Sequence, residues 1–277
     1  GELFDYFVQY SLDTNSYRGN GNFIERGWSV VRDIGNVLFI FALLYVAITH
    51  ILQAGKSDTK KFLVNIIVAA LLINFSLFFS RIIIDGGNIL ARAFYNNIEI
   101  PNDDNIQYRT ISQGIVMHVN PQRILGSELF TPKHSNSQTE VDSGKLDNGY
   151  AFTILAVSAA VNITLGITFL SVALLFVGRV VGLWFLMIFS PFALASRSMP
   201  NPGMFGAFGF DEWLKQTMKL SFMAPVFLFF LFLLIMFLQI IFQTNIPDTD
   251  QTTVQKLMAI IVPFAMVIFI LNKAKTV

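Results

Sequence analysis

The sequence predicts an all-α, polytopic membrane protein, and three observations predict it. Of 277 residues, 54% are hydrophobic and 13% charged, with a mean hydropathy of +0.59, which leaves too little polar surface to clothe a water-soluble globule. The apolar residues, 29 Phe among them, fall in runs about as long as the roughly 20 residues a helix needs to cross a hydrocarbon layer of about 30 Å. Those runs are bounded by charged or polar residues, as the ends of spans are.

The elements follow in chain order. Residues 1–29 are polar and Gly/Asn-rich at Gly19-Asn20-Gly21-Asn22, and read as an extracytoplasmic segment with one short helix and a turn. Residues 30–84 carry the first two spans, over 34–52 and 62–84. Residues 85–150 form one large extracytoplasmic insert, with more Asp/Glu than Lys/Arg and turn signals at Pro101-Asn102-Asp103-Asp104 and Asn120-Pro121. Its scattered apolar residues over 106–130 suit one or two interfacial helices. Residues 151–197 are apolar for so long that a single helix would reach about 70 Å. The stretch therefore projects beyond the bilayer as span three or folds back as a hairpin, interrupted at Gly178-Arg179, and Pro191 kinks or ends it. Residues 198–217 are a Pro/Gly-rich link, after which Asp211-Glu212 mark a restarting helix and Trp213 sits where an interfacial anchor would. Residues 218–277 hold two last spans, over 218–243 and 254–271, with Pro225 and Pro263 as kinks.

Five spans result if the long stretch crosses once, six if it crosses twice. With five, Lys56, Lys60 and Lys61, then Arg197, Lys215 and Lys219, then Lys273 and Lys275 share one side, which the positive-inside rule places in the cytoplasm. The N-terminus is then outside. With six, both termini lie inside and the Lys56 cluster is stranded outside, so five is the tidier solution.

Polar residues within the apolar runs are the candidate functional positions, because each costs free energy in lipid unless it finds a partner or water. Asn74, Arg81, Asp85 and Asn88 are spaced seven, four and three apart, which aligns them on one face of a continuous helix. Arg81 is placed to pair with Asp85. The stripe either meets headgroups, with Arg81 snorkelling, or faces a subunit interface or aqueous path. In the long stretch, Ser158 and Asn162 are one turn apart, Gly166 follows, and Gly178 and Gly182 bracket Arg179. Small residues four apart permit close helix approach, although lipid-facing helices carry the same pattern. Arg179 lies in the membrane in the five-span arrangement and marks a turn in the six-span one. Arg32-Asp33 reads as a membrane boundary, His50 as an interfacial or packing residue at the end of the first span, and His118 and His134 match no metal template.

Several classes lack their chemistry. No cysteine occurs, so thiolate chemistry and Cys-held metals are excluded. No His-Glu-x-x-His, Gly-rich phosphate loop or Gly-x-Ser-x-Gly is present, so no catalysis, cofactor or metal is expected. The net charge of +1, without a basic stripe, points to no nucleic-acid site. Internal repeats of the kind that build inverted-repeat transporters are not apparent.

The order of parts, with Trp28-Ser29-Val30-Val31-Arg32-Asp33-Ile34-Gly35-Asn36, Leu72-Ile73-Asn74-Phe75-Ser76, Ser190-Pro191 after an apolar helix, and Ala224-Pro225-Val226-Phe227-Leu228, resembles the TrbL-like polytopic component of type IV secretion and conjugation machines. The resemblance spans most of the chain through loose motifs. It implies a non-enzymatic, multi-pass subunit of the bacterial inner membrane, surrounded by lipid. Such a subunit would homo-oligomerise beneath a periplasmic stalk or pilus, contact pilin-like and scaffold subunits, and rely on separate ATPases. A small-solute channel subunit and a scaffold of another envelope complex are the other classes that the residues accommodate.

Overall fold

The computed structural model describes residues 1–18, 23–52, 59–98, 110–119, 148–196 and 209–243, with single positions at 265 and 269, and no strand occurs among them. Helices α1 (Glu2–Leu12), α2 (Asn15–Arg18), α3 (Phe23–Ile51), α4 (Thr59–Asn74), α5 (Ser76–Asn96), α6 (Ile111–Val119), α7 (Asn148–Ile188), α8 (Ser190–Ser196) and α9 (Phe210–Gln243) follow one another. Three segments are long and apolar enough to cross a membrane: Phe23–Ile48, Ser158–Ile188 and Phe210–Phe237. The pair Leu63–Asn74 and Ser76–Asn96 qualifies together, bent by 58°. The described residues thus supply three candidate spans, or four if the bent pair is one. The expected last span, 254–271, lies outside the described residues apart from two positions.

Two expectations about the spans are corrected. The second span is not one helix over 62–84. It breaks at Phe75, whose N–H turns back to Leu72 O at 3.0 Å. The Asn74 amide bonds Ala70 O at 3.0 Å, and a side chain competing for a backbone carbonyl in this way weakens helix continuation. Trp28 Nε1 takes Ser76 Oγ at 2.7 Å and fixes the start of α5. Nor does the chain leave the helix at Asp85, because α5 runs on to Asn96.

The second correction concerns the long stretch. It is neither a hairpin nor interrupted at Gly178-Arg179. Helix α7 is continuous for 41 residues, about 60 Å at 1.5 Å per residue. One helical glycine costs only about 1 kcal/mol relative to Ala, too little to break so apolar a helix. Pro191 acts as expected: α7 ends at Ile188 and Pro191 sits in the first turn of α8, where a missing N–H costs nothing.

The chain divides into two compact units, and α1, α5, α7 and α9 contribute to both. The unit of Val8–Phe94 and Phe176–Val226 has two apolar clusters. In one, Phe39 and Val46 of α3 meet Ile66, Ala69 and Ile73 of α4 and Ala195 of α8. In the other, Tyr17, Ile24, Val31, Leu77 and Ile84 close on Val180, Leu183 and Met187 of α7. Gly35 lies where α3 meets α4: a Cβ there would lie 2.5 Å from Ile73 Cδ1, so the tip of Ile73 fills the space a larger residue would take.

The unit of Gly1–Phe7, Tyr95–Leu175 and Phe227–Val277 packs Phe4 of α1 on Phe169 of α7 and Phe227 of α9, with ring centroids 5.2 and 6.4 Å apart. Between α5 and α7, helix α6 is the helix described within the insert. Thr110-Ile111-Ser112-Gln113 forms the N-terminal half of a capping box, with Thr110 N–H on Gln113 Oε1 at 3.1 Å. Buried Asp5 accepts both the Ser112 N–H, at 3.2 Å, and its hydroxyl, placing an acid at the positive end of α6. The N-terminal segment carries the expected short helix and turn, and Phe4 packs that helix on apolar side chains.

Candidate functional site

The site lies in the unit of Val8–Phe94 and Phe176–Val226 and is built around Arg179. A guanidinium has five N–H donors in a planar fork, and here all are engaged although the residue is only 1% exposed. Nε donates to Leu220 O of α9 at 2.8 Å and Nη2 reaches Ser221 O at 3.4 Å. Nη2 also donates to Asn88 Oδ1 of α5 at 2.7 Å. Nη1 takes Ser11 O at 2.9 Å, the Ser11 hydroxyl, and Tyr17 Oη at 3.1 Å. None of these acceptors is a carboxylate.

Two helix ends supply the negative partial charge instead. Helix α1 stops at Leu12, so its last carbonyls have no partner within the helix, and their dipoles sum to a negative pole. Arg179 and the Tyr17 hydroxyl, at 2.8 Å, share Ser11 O, while Arg92 Nη2 takes Leu12 O at 2.7 Å. The second end is internal to α9. The Ser221 carbonyl would normally accept from the N–H four residues on, but that residue is Pro225, which has none. Arg179 supplies the missing donor from another helix. Gly87 allows α5 to come this close, because a Cβ there would lie 2.5 Å from Ser221 O and 3.0 Å from Ser221 C.

Tryptophans reinforce the same knot. Trp184 Nε1 donates to Ser16 O at 3.0 Å, Trp28 Nε1 to Ser76 Oγ, and Trp213 Nε1 to Leu186 O at 2.8 Å. Trp213 is 4% exposed, so it ties α9 to the last turn of α7 rather than anchoring in headgroups as expected. Burial pushes the Tyr17 phenol above its usual 10.0, against the opposing pull of the Arg179 charge and of hydrogen bonds from Ser11 and Arg179. Two buried polar atoms of the site, Asn88 Nδ2 and Ser221 Oγ, have no hydrogen-bond partner.

The other residues singled out in the sequence are placed as follows. The Asn74, Arg81, Asp85 stripe does not lie on one straight helix, since the break at Phe75 puts Asn74 on α4 and the rest on α5. Arg81 Nη2 reaches Glu25 Oε1 on α3 at 2.8 Å, a partner that its sequence neighbours did not reveal, and its buried Nε has none. Asp85 is half-buried on α5. Asn162 and Gly166 are exposed on α7, with Asn162 Nδ2 at 3.5 Å from Ser158 Oγ. Gly182 faces α9, where an added Cβ would lie 2.8 Å from Leu220 Cδ1, but a Cβ on Gly178 would meet nothing within 4 Å. The pair is not one contact surface within this chain. Arg32 bonds Asp33 at 2.8 Å and stacks 4.8 Å over Trp28. The side chains of His50 and His118, and all of His134, fall outside the described residues, among which no His/Asp/Glu group could hold a metal.

Sequence reading missed Ser11, Tyr17, Gly87 and Ser221. The available signal was Pro225, whose missing N–H requires that the carbonyl four residues earlier find another donor. Fold and site together give an all-helical class of protein with three to four candidate membrane spans among the described residues, tied by a buried arginine that serves helix ends. No protein-family model matches the chain, and neither a curated protein nor a solved structure does.

Proposed function

We propose that this chain is a non-catalytic assembly subunit of the bacterial inner membrane, part of a type IV secretion or conjugation machine. In this reading it oligomerises beneath the periplasmic stalk or pilus, contacts pilin-like and scaffold subunits, and aids substrate translocation driven by separate ATPases. The resemblance to TrbL-like components supplies the machine. The observation that carries the structural half is the use of the deepest charge: Arg179 spends every donor on neutral groups of its own chain. With every donor so engaged, the group suits a structural tie between helices. Apolar side chains exposed on the spans, such as Ile40, Phe41 and Leu44 of α3 and Ile163, Ile167 and Leu174 of α7, suit lipid and neighbouring helices.

Purification from native membranes in mild detergent, with identification of the proteins retained, tests the reading. Secretion ATPases and pilin-like subunits among them are the expected result. Recovery of the chain alone, with solute flux when it is placed in liposomes, would replace the reading with that of a channel.

A further inference from the structure

We infer that docking of the N-terminal segment Val8–Tyr17 and closure of the Pro225 joint in α9 are a single coupled event, because one guanidinium completes both. The proposal rests on the geometry around Arg179 and stands whether or not the secretion reading does. On Nη1 the acceptors are Ser11 O, Ser11 Oγ and Tyr17 Oη; on Nε and Nη2 they are Leu220 O and Ser221 O of α9 and Asn88 Oδ1 of α5. The guanidinium is one rigid plane, so leaving the Nη1 donors buried and unpaired favours reorientation of the whole group, its bonds to α9 included. If the N-terminal segment withdraws, two buried N–H groups lose their acceptors and the guanidinium must turn toward water. The donor that replaces the missing N–H of Pro225 is then lost too. Helix α9 carries no bond of its own at that carbonyl, so the joint opens where Pro225 has already weakened it.

The packed state also leaves Ser221 Oγ and Asn88 Nδ2 buried and unpartnered. Such groups favour any arrangement in which they meet water. Closure is therefore held by Arg179 and opposed by its own neighbours, as a two-state element requires.

The test uses the cysteine-free chain with Ser221→Cys, a change that removes no hydrogen bond because Ser221 Oγ makes none. The rate of alkylation of purified protein by N-ethylmaleimide reports access of water and reagent to the joint. Adding Tyr17→Phe, which keeps the ring but removes the hydroxyl that bonds Ser11 O and accepts from Arg179, should raise that rate by about fivefold or more, the low end of ordinary couplings. Adding Pro225→Ala as well should suppress the increase, since the helix then supplies its own N–H to residue 221. A Tyr17→Phe rate within about twofold of the parent, in protein of unchanged helicity and elution, would overturn the coupling. So would an increase that survives Pro225→Ala. Should Tyr17→Phe fail to fold, Ser11→Ala takes its place under the same criteria.

Discussion

Arg179 of α7 and Pro225 of α9 are complementary. The proline withholds an N–H from the Ser221 carbonyl, and the arginine delivers one at 3.4 Å while holding Leu220 O at 2.8 Å. Their effects on stability should therefore be non-additive. Arg179→Ala is expected to cost about 3 kcal/mol, because it strips donors from several buried groups at once. In a Pro225→Ala background the cost should fall by about 1 kcal/mol, the order of one hydrogen bond. Unfolding of the four proteins in one detergent measures the cycle, and strictly additive losses would show that the two residues act independently.

Adjacent glycines on α5 should behave oppositely. A Cβ on Gly87 would lie 2.5 Å from Ser221 O, whereas one on Gly86 would meet nothing within 4 Å. Gly87→Ala should destabilise by about 1–3 kcal/mol through overpacking, since a backbone carbonyl cannot move aside as a side chain can. Gly86→Ala should be neutral or gain up to about 1 kcal/mol from helix propensity. Equal melting temperatures for the two variants would refute the α5–α9 approach.

Tyr17 should be among the last tyrosines to ionise. Burial raises its folded value above 10.0, so the stability it contributes is fully present below the unfolded value and is lost as pH rises through the raised folded one. Alkaline titration followed by tyrosinate absorbance should show a late step that Tyr17→Phe removes. Its ionisation should coincide with loss of fold, because the phenol then has no proton for Ser11 O.

The Arg81–Glu25 pair should matter little. It is partly exposed, with side-chain exposures of 24% and 48%, and such pairs contribute under about 1 kcal/mol. Glu25→Gln should leave the melting temperature nearly unchanged. A large loss would mean that the pair is covered by a neighbour in the assembly, which cross-linking from residue 25 would identify.

Orientation can be read with single cysteines. On the five-span reading, Ser57 faces the cytoplasm and Ser137 the outside. A membrane-impermeant thiol reagent applied to intact cells should then label Ser137→Cys and spare Ser57→Cys. The reverse pattern would invert the chain.

The membrane class was legible in the sequence because crossing a bilayer is a demand on composition and run length, both local properties. The restart of α9 at Asp211-Glu212 and the end of α7 before Pro191 were legible for the same reason, since acids at a helix start and a proline without its N–H act within one turn. Continuity of α7 was not. Gly178-Arg179 looks like a break until the arginine is given acceptors, and those lie on α1, α2, α5 and α9, at positions 11, 17, 88, 220 and 221. The break at Phe75 depended likewise on Trp28 reaching Ser76 across 48 residues, and the partner of Arg81 on a glutamate 56 residues away. Sequence alone thus determined which segments prefer lipid. Only tertiary structure decided where the buried charge is satisfied, because backbone carbonyls are its acceptors and every residue carries one, so no side-chain pattern along the chain marks which of them will be free.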